Sequence, residues 1–265
     1  KMHQIVNLQG KELYVEYLLQ DKSKPTLVFL HDSLGSVQLW RDFPHKIAEE
    51  TQCNMLLYDR LGYGKSAKMS AEERPNNYME IEADVLNELF VYLEIENAIL
   101  FGHSDGGTIV LLAASKYSEK IKGVIAEAAH IFVEEQTIAG VEAAIASYSN
   151  TNLPERLAKY HGDKVDRLFK AWTETWTRAS YRDWNIEHFL SKISCPLLFI
   201  QGELDEYGTL EQVDKTVEQV SGLAEKFILP NTGHTPHKEA TDLVLIKTID
   251  FIQNIISVKK LNIGK

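Results

Sequence analysis

One short segment constrains this chain more than any other: Gly102-His103-Ser104-Asp105-Gly106, which joins the apolar run Ala98 to Phe101 to a second apolar run opened by Gly107-Thr108-Ile109-Val110. An apolar run of strand length, a serine flanked by glycines at two residues' distance and an apolar helical run describe a strand, a sharp turn and a helix, with the serine at the apex. The glycines have a steric reason. At a turn this tight a Cβ at Gly102 or Gly106 would collide with neighbouring backbone, and the serine is held in a strained conformation with its hydroxyl outward. The following helix aims the free amides of its N-terminus at the same point, where they favour developing negative charge. The bland alternative is an ordinary glycine-rich strand-to-helix turn.

A serine hydroxyl alone is a poor nucleophile, so the chemistry needs a base and an acid that orients it, in the chain order serine, acid, histidine. Asp205 stands in Gln201-Gly202-Glu203-Leu204-Asp205, just past the run Leu197 to Ile200. His234 stands in Asn231-Thr232-Gly233-His234-Thr235-Pro236, just past the run ending at Leu229. Both positions project from strand ends. Glu203 competes as the acid, but at two residues' remove on an extended segment it points elsewhere. His237 competes as the base, yet it falls near the start of the final helix, where a solvated or capping role is expected. His103, inside the turn, is expected to be packed; His31, His130 and Trp40 are candidates for lining the pocket.

The strand-turn-helix texture recurs. Runs over Thr26 to Leu30, Asn54 to Tyr58, Ala98 to Phe101, Gly123 to Ala126, Leu197 to Gln201 and Lys226 to Leu229 read as the strands of βα units in a parallel sheet. Lys11 to Leu18 alternates like an antiparallel edge strand. Between Phe132 and Lys192 such runs vanish, while Leu168, Phe169, Trp172 and Trp176 recur at helical spacing. This predicts a helical insertion, expected to act as a lid because ligands of α/β sheets bind outside the carboxyl ends of the strands. The chain thus divides into a core of residues 1–130 and 193–265 and a cap of residues 131–192. A last helix, about Glu239 to Ile256, is expected to lay Leu243, Ile246, Ile249, Phe251 and Ile252 on the sheet.

Length and charge agree with this reading. The 265 residues suit one α/β domain with an insertion, and 44% hydrophobic residues suffice for a sizeable core. A formal net charge of −10 argues against nucleic-acid or anionic-membrane partners, and Lys259-Lys260 reads as a solvated tail. No apolar stretch approaches the roughly 20 residues of a membrane span. Residues 1–9 lack the pattern of a secretory signal, so a cytoplasmic protein is expected, as a monomer or homodimer. Cys53 and Cys195 read as reduced core thiols, and the spacing of histidines, cysteines and carboxylates implies neither a metal nor an organic cofactor.

Five stretches carry a family resemblance: Leu30-His31-Asp32-Ser33-Leu34-Gly35-Ser36, Tyr58-Asp59-Arg60-Leu61-Gly62-Tyr63-Gly64-Lys65-Ser66, the turn with Ser104-Asp105-Gly106-Gly107, Gly202-Glu203-Leu204-Asp205, and Gly233-His234. In these the chain resembles the α/β-hydrolase superfamily over essentially its whole length, and within it the biphenyl-hydrolase-like or valacyclovir-hydrolase branch. The resemblance implies an α/β fold: a mostly parallel, eight-stranded twisted sheet with helices on both faces and a helical cap. It also implies an oxyanion hole built from the backbone amides of Asp105 and of Ser33 or its neighbour Leu34, although Asp32 stands where glycine is common in that loop. Asp105 has two readings, a carboxylate that binds a substrate ammonium group or a mere source of an amide. The expected reaction is acyl transfer through Ser104 on a small carboxylic ester, an amino-acid ester among them, with carbon–carbon hydrolysis of ring-cleavage products or a receptor with little turnover as alternatives.

Overall fold

The computed structural model describes residues 2–264, without the side chains of Lys259, Lys260 and Ile263, so the expectation for the Lys259-Lys260 pair lies outside the described residues. Among these residues eight strands form one sheet: β1 (Met2–Leu8), β2 (Lys11–Leu18), β3 (Thr26–Leu30), β4 (Asn54–Tyr58), β5 (Ala98–His103), β6 (Ile121–Glu127), β7 (Leu197–Gly202) and β8 (Ala224–Leu229). Their spatial order is β1-β2-β4-β3-β5-β6-β7-β8, parallel from β4 onward and antiparallel where β2 meets β1 and β4. β2 is antiparallel as expected, but it is not an edge. β1 covers it from Met2↔Tyr17 to Leu8↔Lys11. Only Val6 and Leu8 of β1 are buried, which left the strand without a pattern in the sequence. The hairpin closes through Gln9 and Gly10, both at positive φ (53° and 89°), the backbone of a tight two-residue turn.

The parallel strands β3 to β7 are buried on both faces, and their period of two divides the core; the edge strand β8 buries only Leu229. Leu27, Phe29, Met55, Leu57, Ile99, Phe101, Leu198 and Ile200 point to one side, and Val28, Leu30, Leu56, Tyr58, Leu100, Val124, Leu197 and Phe199 to the other. The helices are α1 (Phe43–Thr51), α2 (Tyr78–Tyr92), α3 (Asp105–Lys116), α4 (Glu135–Asn150), α5 (Leu153–His161), α6 (Val165–Thr177), α7 (Glu187–Leu190), α8 (Glu211–Gln219), α9 (Pro236–Glu239) and α10 (Thr241–Ile263). α1 and α10 cover the first side, through Phe43, Ile47, Val244, Phe251 and Ile252. α2, α3 and the helices α4 to α7, inserted between β6 and β7, contribute to the second. In that insertion the described residues add to these helices two short 3-10 turns, Gly162–Lys164 and Ala179–Tyr181, and an isolated bridge, Phe132↔Asn185.

Cys53 is buried, Cys195 is half-buried, and both are free thiols. No helix among the described residues is long and apolar enough to cross a membrane.

The final helix departs from expectation. A short α9 precedes it, α10 runs on to Ile263, and Leu243 and Ile246 are 56% and 68% exposed. Phe251 and Ile252 lie on the sheet as expected and Ile249 packs partly buried beside them, but the face begins with Val244 and Thr248, one residue out of phase at its start. Ile252→Ala should therefore lose about 2–5 kcal/mol, whereas Ile246→Ala should stay within about 0.5 kcal/mol. Urea unfolding midpoints of the two variants distinguish the faces.

Candidate active site

β5 delivers Ser104 to the end of the sheet and α3 begins at the next residue. Ser104 adopts φ 57°, ψ −115°, a sparsely populated conformation that costs on the order of 1–3 kcal/mol and persists only where its surroundings hold it. Its N–H donates to the carbonyl of Glu127 at 2.8 Å, and its carbonyl accepts from Thr108 at 3.1 Å. A Cβ on Gly102 would lie 2.0 Å from the carbonyl oxygen of Gly106, and one on Gly106 would lie 2.1 Å from that of Leu30. The two glycines let strand, helix and the end of β3 nest around the serine.

The three residues singled out from chain order meet here. His234 Nε2 lies 2.9 Å from Ser104 Oγ, and its Nδ1 lies 2.9 and 3.0 Å from the two oxygens of Asp205. Asp205 is held in turn by the N–H groups of Tyr207 (2.7 Å) and Gly208 (3.2 Å) and by the amide of Gln201 (3.2 Å). With Nδ1–H donated to Asp205, Nε2 presents a lone pair to the serine hydroxyl. Burial alone would lower the His234 pKa, but the charge and hydrogen bond of Asp205, with Asp32 and Glu206 nearby, raise it above its ordinary value. Burial would likewise raise Asp205, but His234 holds it below the usual carboxylate range. Glu203 is exposed and stands apart from this line.

The loop that carries His234 is a row of backbone donors, each met by a carboxylate. Glu239 accepts from Gly233 (3.0 Å) and Thr235 (2.9 Å), Glu206 from His234 (3.2 Å) and Glu127 from His237 (2.7 Å). From the other side His103 Nε2–H donates to the carbonyl of His234 at 2.8 Å. His103 is packed, as expected. His237 does not take the solvated role, one of the two expected for it: it is 5% exposed, and its Nδ1 pairs with Glu127 Oε1 at 2.6 Å. Its position at the head of α9 brings it over the buried end of β6. His103, Glu127 and His237 thus offer ligand atoms within 4.8 Å of one another, a cluster that chain spacing does not reveal. Within it Glu127 pairs with His237, and His103 donates to the His234 carbonyl.

A pocket of about 70 Å³ opens at Ser104, lined by Asp32, Ser33, Leu34, Asp105, His130, Tyr207 and His234 together with Thr137, Val141, Trp172 and Trp176 from α4 and α6. His130 is on this wall, fixed by Nε2–H donation to the Tyr207 carbonyl at 3.0 Å. His31 and Trp40 are not. They line a separate cavity of about 40 Å³ behind Asp32 and His103. His31 Nε2 accepts the Arg60 N–H at 3.0 Å and its Nδ1–H donates to the Asp32 carbonyl at 2.8 Å, so both ring nitrogens are spent on the loop. Trp40 packs among Phe29, Phe43, Phe101 and His237. The Asp105 carboxylate, 2% exposed, accepts from Tyr78 Oη at 2.9 Å and lies 3.9 Å from Arg60 Nη2. Sequence reasoning missed Tyr207, whose ring lies 4.6 Å from that of His234. It also missed Thr137 and Val141; Trp172 and Trp176 were visible only as neighbours on one helical face.

The model of the family described as "alpha/beta hydrolase fold" matches residues 25–185, more than half of the chain. The chain belongs to this family. This α/β-hydrolase is 23% identical over 247 residues to Serine hydrolase BPHL of Mus musculus, covering 91% of this chain and 84% of the relative. It is 26% identical to Proline iminopeptidase of Lactobacillus crispatus, covering 88% and 92%. Among solved structures it superposes on the α/β-hydrolase enzyme MGS-M2 from a deep-sea metagenome library with TM-score 0.75 and 22% identity, over 94% and 97% of the two chains.

The nesting of the elbow yields a direct test in this α/β-hydrolase. Gly106→Ala should lose at least ~1–3 kcal/mol of stability, read from the urea midpoint, because the clash is with backbone; a midpoint equal to wild type would contradict the packing described.

Proposed function

We propose that this α/β-hydrolase is a serine hydrolase that cleaves small carboxylic esters bearing an amine, through an acyl-enzyme on Ser104. The observation that carries the reading is the unbroken hydrogen-bonded line from Ser104 Oγ through His234 to Asp205. In the first half-reaction His234 Nε2 takes the serine proton as Oγ attacks the ester carbonyl. Asp205 orients the ring and stabilises the imidazolium. The N–H of Asp105, in the first turn of α3 and so without an intrahelical acceptor, together with that of Ser33, receives the developing oxyanion. His234 then protonates the leaving alcohol, and water repeats the sequence with roles reversed.

The amine follows from the charge of the pocket. Asp32 and Asp105 line it, no lysine or arginine does among the described residues, and Trp172, Trp176 and Tyr207 offer aromatic faces to a cation. Asp105 already has Tyr78 and Arg60, so the less committed carboxylate is Asp32, whose side chain is 33% exposed. The insertion of α4 to α7 serves as the lid, because α4 and α6 supply one wall of the pocket.

Only neutral His234 accepts the serine proton, and its pKa is raised from 6.5. The log of kcat/KM should therefore climb with pH through an inflection above 6.5 and fall away on the acid side, with Ser104→Ala inactive at every pH. The substrate part has its own test: an amino-acid ester should be hydrolysed with kcat/KM at least roughly tenfold above that of its neutral des-amino analogue, as expected for one charged hydrogen bond. Equal efficiencies would remove the amine and leave the hydrolase reading standing.

A further inference from the structure

A third cavity, of about 260 Å³, lies outside the Ser104 pocket, between the segment that follows β4 and the first turns of α2. Five buried side-chain polar atoms that belong to residues lining it have no hydrogen-bond partner among the described residues: Arg60 Nε, Tyr63 Oη, Arg74 Nε, Arg74 Nη2 and Glu82 Oε2. Leaving a buried donor unmet costs about 1–3 kcal/mol, so a partner that met several of these atoms would be bound favourably. Arg60 and Tyr63 are each 1% exposed. Arg74 has no ion-pair partner among the described residues. Its plane stacks on the Tyr78 ring 3.5 Å from the centroid, and its carbonyl is gripped by Arg178 Nη1 at 2.9 Å, so the guanidinium is held in place.

Nε and Nη2 of one guanidinium are the two parallel donors of a fork, the geometry that receives both oxygens of a carboxylate or phosphate. Around the fork stand Leu61, Met69, Pro75 and Ile81, an apolar surround that fits an organic body better than a free inorganic anion. The charge lining the cavity is mixed, Arg60, Arg74 and Arg167 against Glu72, Glu73 and Glu82. Arg60 and Arg74 face Glu82, whose carboxyl burial pushes up against the pull of both arginines. Arg60 also lies beside Asp105, and Glu73 at the rim is salt-bridged to Arg178 at 2.8 Å.

We propose that this cavity is a binding site for a small organic carboxylate, its two oxygens seated on the Arg74 fork with Tyr63 Oη as a third donor and its body against Leu61, Met69 and Ile81. The site is independent of the serine chemistry. It shares a wall with it, however: Trp176 Nε1 donates to Tyr78 Oη at 2.9 Å, and Tyr78 Oη donates to Asp105 Oδ2 at 2.9 Å, so the ring under Arg74 leads to the residue after the serine.

The test is calorimetric titration of the full chain with sodium benzoate and, separately, inorganic phosphate, at constant ionic strength. Wild type and Ser104→Ala should bind benzoate saturably at one site with equal affinity, and phosphate more weakly. Arg74→Gln should weaken benzoate by roughly tenfold or more, the value of a charged hydrogen-bonded pair. Arg74→Lys keeps the charge over Tyr78 but cannot form the fork, and should lose nearly as much while unfolding at the wild-type temperature. No saturable benzoate binding, binding that survives Arg74→Lys unchanged, or tighter binding of phosphate would each overturn the assignment. If Arg74→Gln fails to fold, the lysine variant and Tyr63→Phe decide the question.

Discussion

Everything at the candidate site depends on one close backbone approach, that of Gly106 to the carbonyl of Leu30, where an added Cβ would stand at 2.1 Å. Because the helix can come so near the end of β3, the loop carrying Asp32, Ser33 and Leu34 lies against the serine, and all three line its pocket. The same approach forces Ser104 to φ 57°, and the strain is held by the hydrogen bond from its amide to the carbonyl of Glu127 on the adjacent strand. A tightly packed sheet end thus stores a conformation that an isolated turn would abandon.

The second constraint is electrostatic. The chain is acidic, with 38 aspartates and glutamates against 28 lysines and arginines, and part of that acidity is spent on one loop. Glu127, Glu206 and Glu239 receive the backbone amides around His234, which a loop without helix or strand partners would otherwise leave to water. Charged acceptors bind backbone donors more strongly than neutral ones do, so the loop is ordered without regular secondary structure. Glu206 and Asp32 also add to the field that favours the protonated form of His234. The scaffold that places His234 therefore also tunes it.

Much of the candidate site was legible because strand ends announce themselves: Ser104, Asp205 and His234 each follow an apolar run, and a parallel sheet brings such ends to one rim. Five of the six parallel strands were legible because they are almost wholly buried on both faces, and β8, buried only at Leu229, because it ends in the loop that carries His234. β1 was not, since an outer strand with two buried residues carries no period. His31 and Trp40 illustrate the limit at the site itself. A histidine or tryptophan near a loop is chemically fit for a pocket wall, but the ring nitrogens of His31 are consumed by Arg60 and Asp32, and Trp40 is enclosed by Phe29, Phe43 and Phe101. Which face of a loop a side chain takes is settled by what packs behind it.

By itself, the sequence determined the class of fold, the order of its parallel strands along the chain, the sharp turn at Ser104 and the candidates for acid and base, because periodicity and glycine placement are local properties. The tertiary structure alone decided which side chains face the serine. The aromatic wall from α6, the 29-residue separation bridged by His234 and Asp205, the buried pairing of Glu127 with His237 and the grip of Arg178 on Arg74 all join residues distant in the chain. The reason is physical: hydrogen bonds and contacts across elements depend on the register and tilt with which those elements pack, and no local pattern encodes that.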